Sequence, residues 1–361
     1  MNPNTPFKNG ELAKKLSETL KKAALPDKTY RIMEVCGTHT MAIARSGLRS
    51  LLPENVELTS GPGCPVCVTS QGEIDLFFDI IDQGASVVSF GDLLKIPGSS
   101  GETLAHKRSQ GADVRVVYSP LDALKIASDN GDKRYVFLGV GFETTAPAIA
   151  ALIMAAKEKG VRNLSVLSLC KTMPMAFDLI LSDKELFLDG FLCPGHVTAV
   201  TGLSLYEPLV KAGKAAVVAG FEPVEMLAAI LEIIEQANNK EFKIVNKYRR
   251  VVNDEGNAAA RDIMDKVFQP SDAVWRGLGL LKGSALAVRD EYADYDAMKI
   301  FGLKPKDTVE IKGCKCGAVL TGKIKPDDCS LFAKRCSPDT PIGPCMVSSE
   351  GTCAAYYKFM R

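Results

Sequence analysis

The chain has 361 residues, of which 46% are hydrophobic and 24% charged, and its formal net charge is +1. This composition is typical of a globular protein with two or three domains, and the balanced charge argues against broad attraction to nucleic acid or to an anionic membrane. No segment approaches the roughly 18 uninterrupted apolar residues that cross a bilayer, and the lysine-rich first residues lack the apolar core of a signal peptide. We therefore expect a cytoplasmic protein that binds neither nucleic acid nor membrane.

The predicted elements alternate between short apolar strands and helices. Leu12, Leu16 and Leu20 recur at every fourth position and predict an amphipathic N-terminal helix. Seven apolar runs then end at glycine, proline or polar clusters, at residues 30–35, 85–90, 114–118, 135–140, 164–169, 190–192 and 215–219. Continuous apolar strands alternating with helices predict parallel sheets that are covered on both faces.

This pattern predicts an α/β fold with two Rossmann-like lobes and a smaller Cys-rich C-terminal domain. The expected division is an N-terminal helix (1–28) packing on the third domain, lobe 1 (29–125), lobe 2 (126–240) and the C-terminal domain (241–361). Gly-Phe-Glu ends an apolar strand and opens a helix twice, at 141–143 and at 220–222. Internal duplication of the two lobes and chance similarity both remain open.

Six of the eleven cysteines lie in the last fifty residues, at Cys314, Cys316, Cys329, Cys336, Cys345 and Cys353. In a reducing compartment, clustered thiols indicate metal or redox chemistry rather than structural disulfides. Six thiols exceed the four that a zinc ion or a [4Fe-4S] cluster needs, and none of the six forms a C-x-x-C zinc knuckle. The spacing favours an iron–sulfur cluster with a redox dithiol beside it. Structural zinc is the alternative, and disulfides alone fit the cytoplasmic expectation least well.

Two further cysteine motifs lie near the N-terminal end of the chain, and the one at Cys36 follows a predicted strand. Cys64 and Cys67 form a C-x-x-C pair within Gly-Pro-Gly-Cys-Pro-Val-Cys, a spacing typical of a redox-active dithiol. Half of a zinc site, or two inert buried thiols, is the alternative. Cys36 precedes His39 by three residues, which is compatible with a thiolate nucleophile or metal ligand beside an imidazole. A lone cysteine after a strand is, however, also commonly an inert packing residue.

Two polar residues complete the candidate site. His196, in Cys-Pro-Gly-His, is either a proton shuttle or a hydrogen-bonded structural histidine. Glu143, in Gly-Phe-Glu-Thr-Thr, either helps to hold an anion such as cyanide or caps the helix that follows. Because these motifs recur at the carboxyl ends of predicted parallel strands, where α/β proteins bind ligands, we expect them to meet in one cleft. The chain lacks a phosphate-binding P-loop, a complete dinucleotide fingerprint and an H-E-x-x-H zinc motif.

Five ordered motifs resemble the HypD family of NiFe-hydrogenase maturation factors. They are residues 34–40, 61–69, 141–145 and 193–197 and the six C-terminal cysteines, of which the stretch 345–356 is especially similar. The resemblance covers nearly the whole chain from about residue 28. Many members of the family carry histidine where this chain has Met41, so a role for that second histidine is not carried over.

The resemblance implies a function that composition alone does not indicate. It implies a redox-active scaffold that, with a HypC-like small chaperone, holds iron while a HypE-like partner donates cyanide and a carbonyl is added. The Fe(CN)2CO unit then passes to the large subunit of a NiFe-hydrogenase, and no stand-alone turnover reaction is expected. A second class of function is a free-standing thiol oxidoreductase that resembles ferredoxin–thioredoxin reductase.

The resemblance and the analogy with ferredoxin–thioredoxin reductase also imply residue roles. The cluster ligands are expected to be Cys314, Cys329, Cys336 and Cys353, and the reversible disulfide to join Cys316 and Cys345. Cys36 is expected to bind the iron under assembly, with its proton passing to His39, while Cys64 and Cys67 exchange electrons with the cluster. Other partitions of the six C-terminal cysteines, the source of the carbonyl, nucleotide binding and the oligomeric state are left open by the sequence.

Overall fold

The computed structural model describes residues 8–307 and 312–360. The described strands form a five-stranded parallel sheet, a four-stranded parallel sheet and one antiparallel hairpin. They are β1 (Tyr30–Glu34), β2 (Val56–Ser60), β3 (Ser86–Ser89), β4 (Val114–Val116), β5 (Tyr135–Gly141), β6 (Leu164–Cys170), β7 (Gly190–Pro194), β8 (Ala215–Ala219), β9 (Ile244–Asn246), β10 (Phe268–Trp275) and β11 (Gly279–Val288).

The helices are mostly short. They are α1 (Gly10–Ala23), α2 (Gly37–Ser46), α3 (Pro65–Val68), α4 (Gln71–Asp82), α5 (Leu104–Ser109), α6 (Pro120–Asp129), α7 (Ala146–Glu158), α8 (Pro174–Ser182), α9 (Gly195–Thr201), α10 (Glu207–Lys211), α11 (Pro223–Asn239), α12 (Ala258–Val267), α13 (Ala297–Ile300), α14 (Cys316–Leu320), α15 (Pro344–Val347) and α16 (Thr352–Phe359). Single 3-10 turns lie at Leu48–Leu51, Gly91–Lys95, Leu203–Tyr206, Asp290–Tyr295 and Pro326–Asp328. None of the helices in residues 8–307 and 312–360 combines the length and apolarity needed to cross a bilayer.

The first lobe is built on the five-stranded sheet, in the order β2-β1-β7-β8-β9 with every pair parallel. Its central strands β7 and β8 are buried along their whole length, as expected for apolar strands covered on both faces. The register pairs Glu34 with both Ser60 and Leu192, so that β1, β2 and β7 end at the same edge of the sheet. Residues that follow these strands therefore lie close together.

The second lobe is built on the four-stranded parallel sheet, in the order β4-β3-β5-β6. β5 is buried at all seven positions and is the most deeply enclosed strand of this sheet. Helices α6 and α7 pack on it through a core that includes Ala123, Ile149 and Phe137. The two parallel sheets confirm the predicted α/β class with Rossmann-like lobes.

The sheets divide the chain differently from the predicted boundaries. The first lobe takes its strands from residues 30–60 and 190–246, and the second lobe takes all its strands from 86–170. The second lobe is thus inserted into the first, whereas the sequence places a single boundary at 125/126. The difference arises because two adjacent parallel strands need a long connection between them. The connection from β1 to β7 contains the whole second lobe.

The N-terminal helix also packs elsewhere than predicted. Instead of lying on the third domain, α1 packs along α11 of the first lobe, with Leu20 fully buried in their shared core. The Ser17 hydroxyl donates to the Leu51 carbonyl at 2.5 Å, which fixes the helix beside the loop before β2. The buried apolar side chains of α11, among them Ile230 and Ile233, belong to the same apolar cluster as Leu20 of α1.

The Cys-rich segment, residues 312–360, contains the short helices α14, α15 and α16 and the 3-10 turn Pro326–Asp328. It has a small apolar cluster of its own, made of Phe332, Cys336, Met346 and Tyr356. Outside that cluster it packs on the lobes, with α15 on α3 and α16 on α2. A segment with so small a core depends on these contacts for its order.

A buried ion pair fixes α4 to the second sheet. Lys171, directly after β6, is fully buried, and its Nζ lies 2.8 and 3.0 Å from the two carboxylate oxygens of Glu73. The same carboxylate accepts hydrogen bonds from the backbone N–H and the hydroxyl of Ser70, so that it caps α4 as well. The pair therefore holds the start of α4, which follows the turn after Cys67, against the sheet.

We expect Lys171→Met to lower the free energy of unfolding by about 3–5 kcal/mol, because it leaves the Glu73 carboxylate buried without its cation. Urea unfolding followed by circular dichroism measures this change. Lys125→Met removes an exposed pair with Asp129 and should have no measurable effect. Equal effects of the two variants would contradict a special role for the buried pair. The double variant Lys171→Met/Glu73→Leu should recover part of the loss, since it leaves no buried charge.

Candidate functional site

Cys36 lies where the loops after β1 and β2 meet the Cys-rich segment. It follows β1 with an extended backbone and is the N-cap residue of α2. The Gly37 N–H donates to the Gly63 carbonyl at 3.0 Å, which joins the loops after β1 and β2. On its other side Gly37 touches the segment so closely that an added Cβ would lie 2.4 Å from the Glu350 carbonyl oxygen. Only glycine permits this approach, and it brings the Cys-rich segment against Cys36.

Burial and, to a smaller extent, the nearby Glu350 carboxylate raise the pKa of the Cys36 thiol to about 12. The backbone N–H groups of His39 and Thr38 and the Thr38 hydroxyl partly oppose this effect. Glu350 is fixed in place because its Oε1 accepts a 2.6 Å hydrogen bond from that hydroxyl. In the protein alone the thiol is therefore protonated at neutral pH, and a metal ion that binds the sulfur must displace the proton.

The His39 imidazole makes no hydrogen bond with the Cys36 sulfur in the part of the chain that the structure describes. Its Nε2 lies 3.0 Å from the Gly220 carbonyl and donates to it in the neutral ring, and Nδ1 is buried without a hydrogen-bond partner in residues 8–307 and 312–360. Burial lowers the pKa of this imidazole to about 4, so the ring is neutral. That the imidazole accepts the Cys36 proton therefore stays a prediction. At a helix start the backbone N–H three residues on faces the N-cap residue, while the side chain points elsewhere.

His196 shares an aromatic stack with His39. The Phe221 ring lies between the two imidazoles, with centroid distances of 4.7 Å to His39 and 4.2 Å to His196. His196 is exposed at the start of α9, and partial burial of its ring lowers its pKa. The stack therefore connects the buried surroundings of Cys36 with the surface of the first lobe.

Cys64 and Cys67 are joined by a disulfide at the two ends of the first turn of α3, and both are buried. Cys64 is the N-cap residue, and its sulfur accepts the Cys67 N–H at 3.2 Å. The buried Ser348 hydroxyl, from the Cys-rich segment, lies 3.3 Å from the same sulfur. The C-x-x-C pair is thus in contact with the segment that carries the other six thiols.

Glu143 is buried at the loop between β5 and α7. One oxygen accepts the Met173 N–H at 2.8 Å, and the other has no hydrogen-bond partner in the described chain. It therefore holds the residue before α8 and does not cap α7, the helix that the sequence suggested. Burial raises the pKa of this carboxyl from 4.5 to about 7.

The six C-terminal cysteines surround one small, mainly apolar pocket. Its lining includes Cys314, Cys316, Cys329, Cys336, Cys345 and Cys353, together with Val319, Phe332 and Met346. Soft thiolate donors in an apolar setting fit the chemistry of an iron–sulfur cluster. Across residues 8–307 and 312–360, no group of three or more His, Cys, Asp or Glu side chains is placed to hold a metal ion.

Within this pocket the sulfurs of Cys314 and Cys316 lie 3.4 Å apart, and Cys345 also contacts Cys316. The pKa of Cys316 lies well below its ordinary value because the thiols of Cys314 and Cys345 donate to its sulfur and Arg276 adds a positive charge. The Cys345 pKa is raised, since its thiol is the donor. Cys316 and Cys345 are therefore neighbours, but Cys314 is too, so the predicted division of the thiols stays a prediction.

Sequence reasoning missed three residues of this site, Arg276, Ser348 and Glu350. Ser348 and Glu350 lie in the stretch 345–356 that supported the resemblance, so a signal for them was available. Arg276 lies in the turn between β10 and β11, a region without a recognisable motif, and no signal marked it.

The chain was compared with known families and proteins. A family model described as "HypD: Hydrogenase formation hypA family" matches residues 11–360. The chain is 42% identical to the hydrogenase maturation factor HypD of Azotobacter vinelandii, with 98% of this chain and 96% of that protein covered. It is 43% identical to the HypD of Cupriavidus necator, with the same coverage, and 42% identical to that of Escherichia coli, with 93% and 90% covered. The similarity spans both lobes and the Cys-rich segment.

We expect Glu143→Gln to stabilise the protein at high pH. The folded wild type holds the Glu143 proton up to about pH 7, whereas an ordinary glutamate loses it near 4.5, so wild-type stability falls as the pH rises between these values. Glutamine stays neutral and keeps an acceptor for Met173. Its advantage in unfolding free energy should grow by roughly 3 kcal/mol between pH 4 and pH 8. Thr145→Ala, in the same loop, should keep the wild-type pH dependence, and a pH-independent effect of Glu143→Gln would refute the burial of a protonated carboxyl.

Proposed function

The chain belongs to the HypD family, and on this premise we propose that it is a hydrogenase maturation factor, a redox-active scaffold for assembly of the iron–cyanide–carbonyl unit. The observation that carries the proposal is the meeting of three thiol motifs. The Cys-rich segment contacts the Cys36 loop through Glu350 and the Cys64–Cys67 disulfide through Ser348. Relatives covering nearly the whole chain are named hydrogenase maturation factors, which supports the same conclusion.

In this proposal the iron under assembly is the cargo, and Cys36 provides the thiolate that holds it. Cyanide and carbonyl favour low-spin Fe(II), for which a soft thiolate is a suitable ligand. Binding releases the Cys36 proton, and the Glu350 carboxylate favours the cation that replaces it. A HypC-like small chaperone shares the iron, a HypE-like partner donates cyanide, and the finished unit passes to a NiFe-hydrogenase large subunit in the cytoplasm.

The cysteines around the apolar pocket have two further roles in this proposal, which are cluster binding and thiol redox chemistry. Cys314, Cys329, Cys336 and Cys353 would hold a [4Fe-4S] cluster, which when bound would supply electrons one at a time. Cys316 and Cys345 form the dithiol beside it, and Cys64 and Cys67 form the pair nearest Cys36. The contact between Ser348 and the Cys64 sulfur supports this arrangement, because it brings the last pair to the segment that carries the others.

A free-standing thiol oxidoreductase is the second candidate, and the oxidised Cys64–Cys67 pair favours it. Such an enzyme must present its disulfide to a protein substrate. Both sulfurs are buried, which favours an internal relay instead. Reduction of thioredoxin without any partner would support the oxidoreductase, and co-purification with a small chaperone that has an N-terminal cysteine would support the scaffold.

We expect Cys36→Ser to abolish the infrared bands of bound cyanide and carbonyl in the complex with the small chaperone. The variant keeps the shape of the side chain and loses the soft ligand, so folding and the brown colour of the cluster should persist. Cys170→Ser changes a buried thiol of the second lobe and should keep the bands. Bands at full intensity in Cys36→Ser would remove Cys36 from the site and leave Cys64 or Cys67 as the better candidate.

We expect the anaerobically prepared chain to contain about four iron atoms and acid-labile sulfide, one cluster's worth. Cys316→Ser and Cys345→Ser should each keep the cluster's absorption and lose redox cycling of the adjacent pair. Cys329→Ser is the matched control and should lose the cluster. Stoichiometric zinc without sulfide contradicts the cluster itself, whereas loss of colour in Cys316→Ser or Cys345→Ser contradicts only the proposed division.

A further inference from the structure

The C-terminal part of the chain carries a surplus of positive charge. Residues 312–361 contain eight lysines and arginines but only four aspartates and glutamates, whereas the whole chain has 44 and 43. Two of these four carboxylates are engaged within the protein, since Glu350 accepts a hydrogen bond from the Thr38 hydroxyl and Asp328 accepts one from the Lys325 N–H. The Cys-rich segment is therefore a basic part of a chain that is slightly acidic elsewhere.

Three of the basic residues lie at the edge of the apolar thiol pocket, and we call them the basic rim. Lys315 separates two of the six cysteines and is itself part of the pocket lining. Lys334 and Arg335 lie in a turn that the Cys336 N–H closes by donating to the Leu331 carbonyl at 2.9 Å, and both of these end residues line the pocket. All three residues of the basic rim are exposed.

The two loops that carry the basic rim are in contact. A Cβ added to Gly313 would lie 3.5 Å from Cδ1 of Leu331, an ordinary van der Waals distance. The chain that leads into Lys315 therefore packs against the turn that carries Lys334 and Arg335. Their three charges belong to neighbouring loops at the edge of one pocket.

The basic rim has no counter-charge within the described chain. In residues 8–307 and 312–360, none of its three side chains forms an ion pair with a carboxylate. Lys323 of the same segment differs, because its Nζ lies 2.8 Å from a carboxylate oxygen of Asp183 and 2.8 Å from one of Glu185. Lys323 thus holds the segment to the loop after α8, whereas the unpaired cations of the rim attract an anionic partner.

The thiol pocket reaches the surface beside these charges. Three of its cysteines, Cys314, Cys329 and Cys353, are only partly buried. Electron-transfer partners associate through small and transient interfaces, and complementary charges at the edge of such an interface speed up their encounter. A few unpaired cations around a partly exposed group of redox-active thiols have the character of such an interface.

We propose that the basic rim is the docking surface for an acidic one-electron carrier protein, which supplies the chain with electrons. The inference rests on the proposed function for the redox role of the thiol pocket, and it adds the donor that this role needs. A docked carrier gives up one electron in each encounter and leaves in its oxidised form. Two encounters, with two protons from the solvent, break one S–S bond such as that of Cys64 and Cys67 and leave two thiols.

The binding test uses the full chain, purified anaerobically, and an oxidised plant-type [2Fe-2S] ferredoxin as the acidic carrier. Isothermal titration calorimetry at low salt measures the dissociation constant. We expect this constant to rise about tenfold or more in the rim variant Lys315→Gln/Lys334→Gln/Arg335→Gln, because the charges that attract the carrier are gone. Wild-type binding should also weaken steeply as the salt concentration rises, since the rim is exposed to solvent.

Two matched variants control for folding and for net charge. Lys315→Arg/Lys334→Arg/Arg335→Lys keeps every charge of the rim and should bind as the wild type does. Lys14→Gln/Lys15→Gln/Lys22→Gln removes the same total charge from exposed positions of α1, in the first lobe, and should also bind as the wild type does.

Several results would overturn the docking surface. Wild-type affinity in the rim variant, or binding that does not depend on salt, would show that the rim charges do not hold the carrier. Equal weakening in the rim and α1 variants would reflect net charge alone, and weakening in the charge-preserving variant would point to a structural role. A single-stranded oligonucleotide that bound the rim more tightly than the ferredoxin would assign the rim to nucleic acid.

Electron delivery separates this inference from the proposed function. Reduced ferredoxin is mixed with each protein in an anaerobic stopped-flow instrument, and its oxidation is followed by its own absorption. The rim variant should accept electrons about tenfold more slowly at low salt, and the difference should disappear at high salt. A chain that contains zinc instead of a cluster and accepts no electrons would contradict the proposed function. Calorimetry still decides the docking surface in that case, because binding of the oxidised carrier requires no electron transfer.

Discussion

The candidate site depends on close contact of the Cys-rich segment with the loops after β1 and β2 and with the β10–β11 turn. Gly37 touches Glu350, Gly277 touches Gly317, and the Ser348 hydroxyl reaches Cys64 across 284 positions of the chain. The segment has too small an apolar core to be ordered by itself, so these contacts decide where its thiols lie. Without them the motifs that carry chemistry would belong to separate parts of the molecule.

Much of the fold follows from the apolar runs, and the exceptions have physical causes. β5 and β6 were predictable because every position is apolar or small and the strands are enclosed on both faces. The sequence did not predict β2, because this strand alternates buried and partly exposed positions at the edge of its sheet. It also did not predict β9, because that strand has only three residues. The interleaving of the lobes was not predictable, since the pairing of β1 with β7 depends on contacts about 160 residues apart.

The residues of the candidate site also include some that the sequence predicted and some that it did not. Short-range patterns placed Cys36 at the end of a predicted strand and paired Cys64 with Cys67 by their spacing, because these signals lie side by side in the chain. The orientation of His39 was missed, since it depends on the Gly220 carbonyl from a strand-end loop of distant sequence. Arg276 has no neighbouring motif. The β10–β11 turn places it beside Thr69 and Gln71, next to the Cys-rich segment.

The insertion of one lobe within the other has a consequence for synthesis on the ribosome. β1 and β2 emerge early, but the central partner β7 of their sheet follows only after the entire second lobe. During that interval two apolar strands stand with an unpaired edge, while the second lobe can already close around its own four strands. The edge of β1 that pairs with β7 therefore has no partner until residues 190–194 have been synthesised.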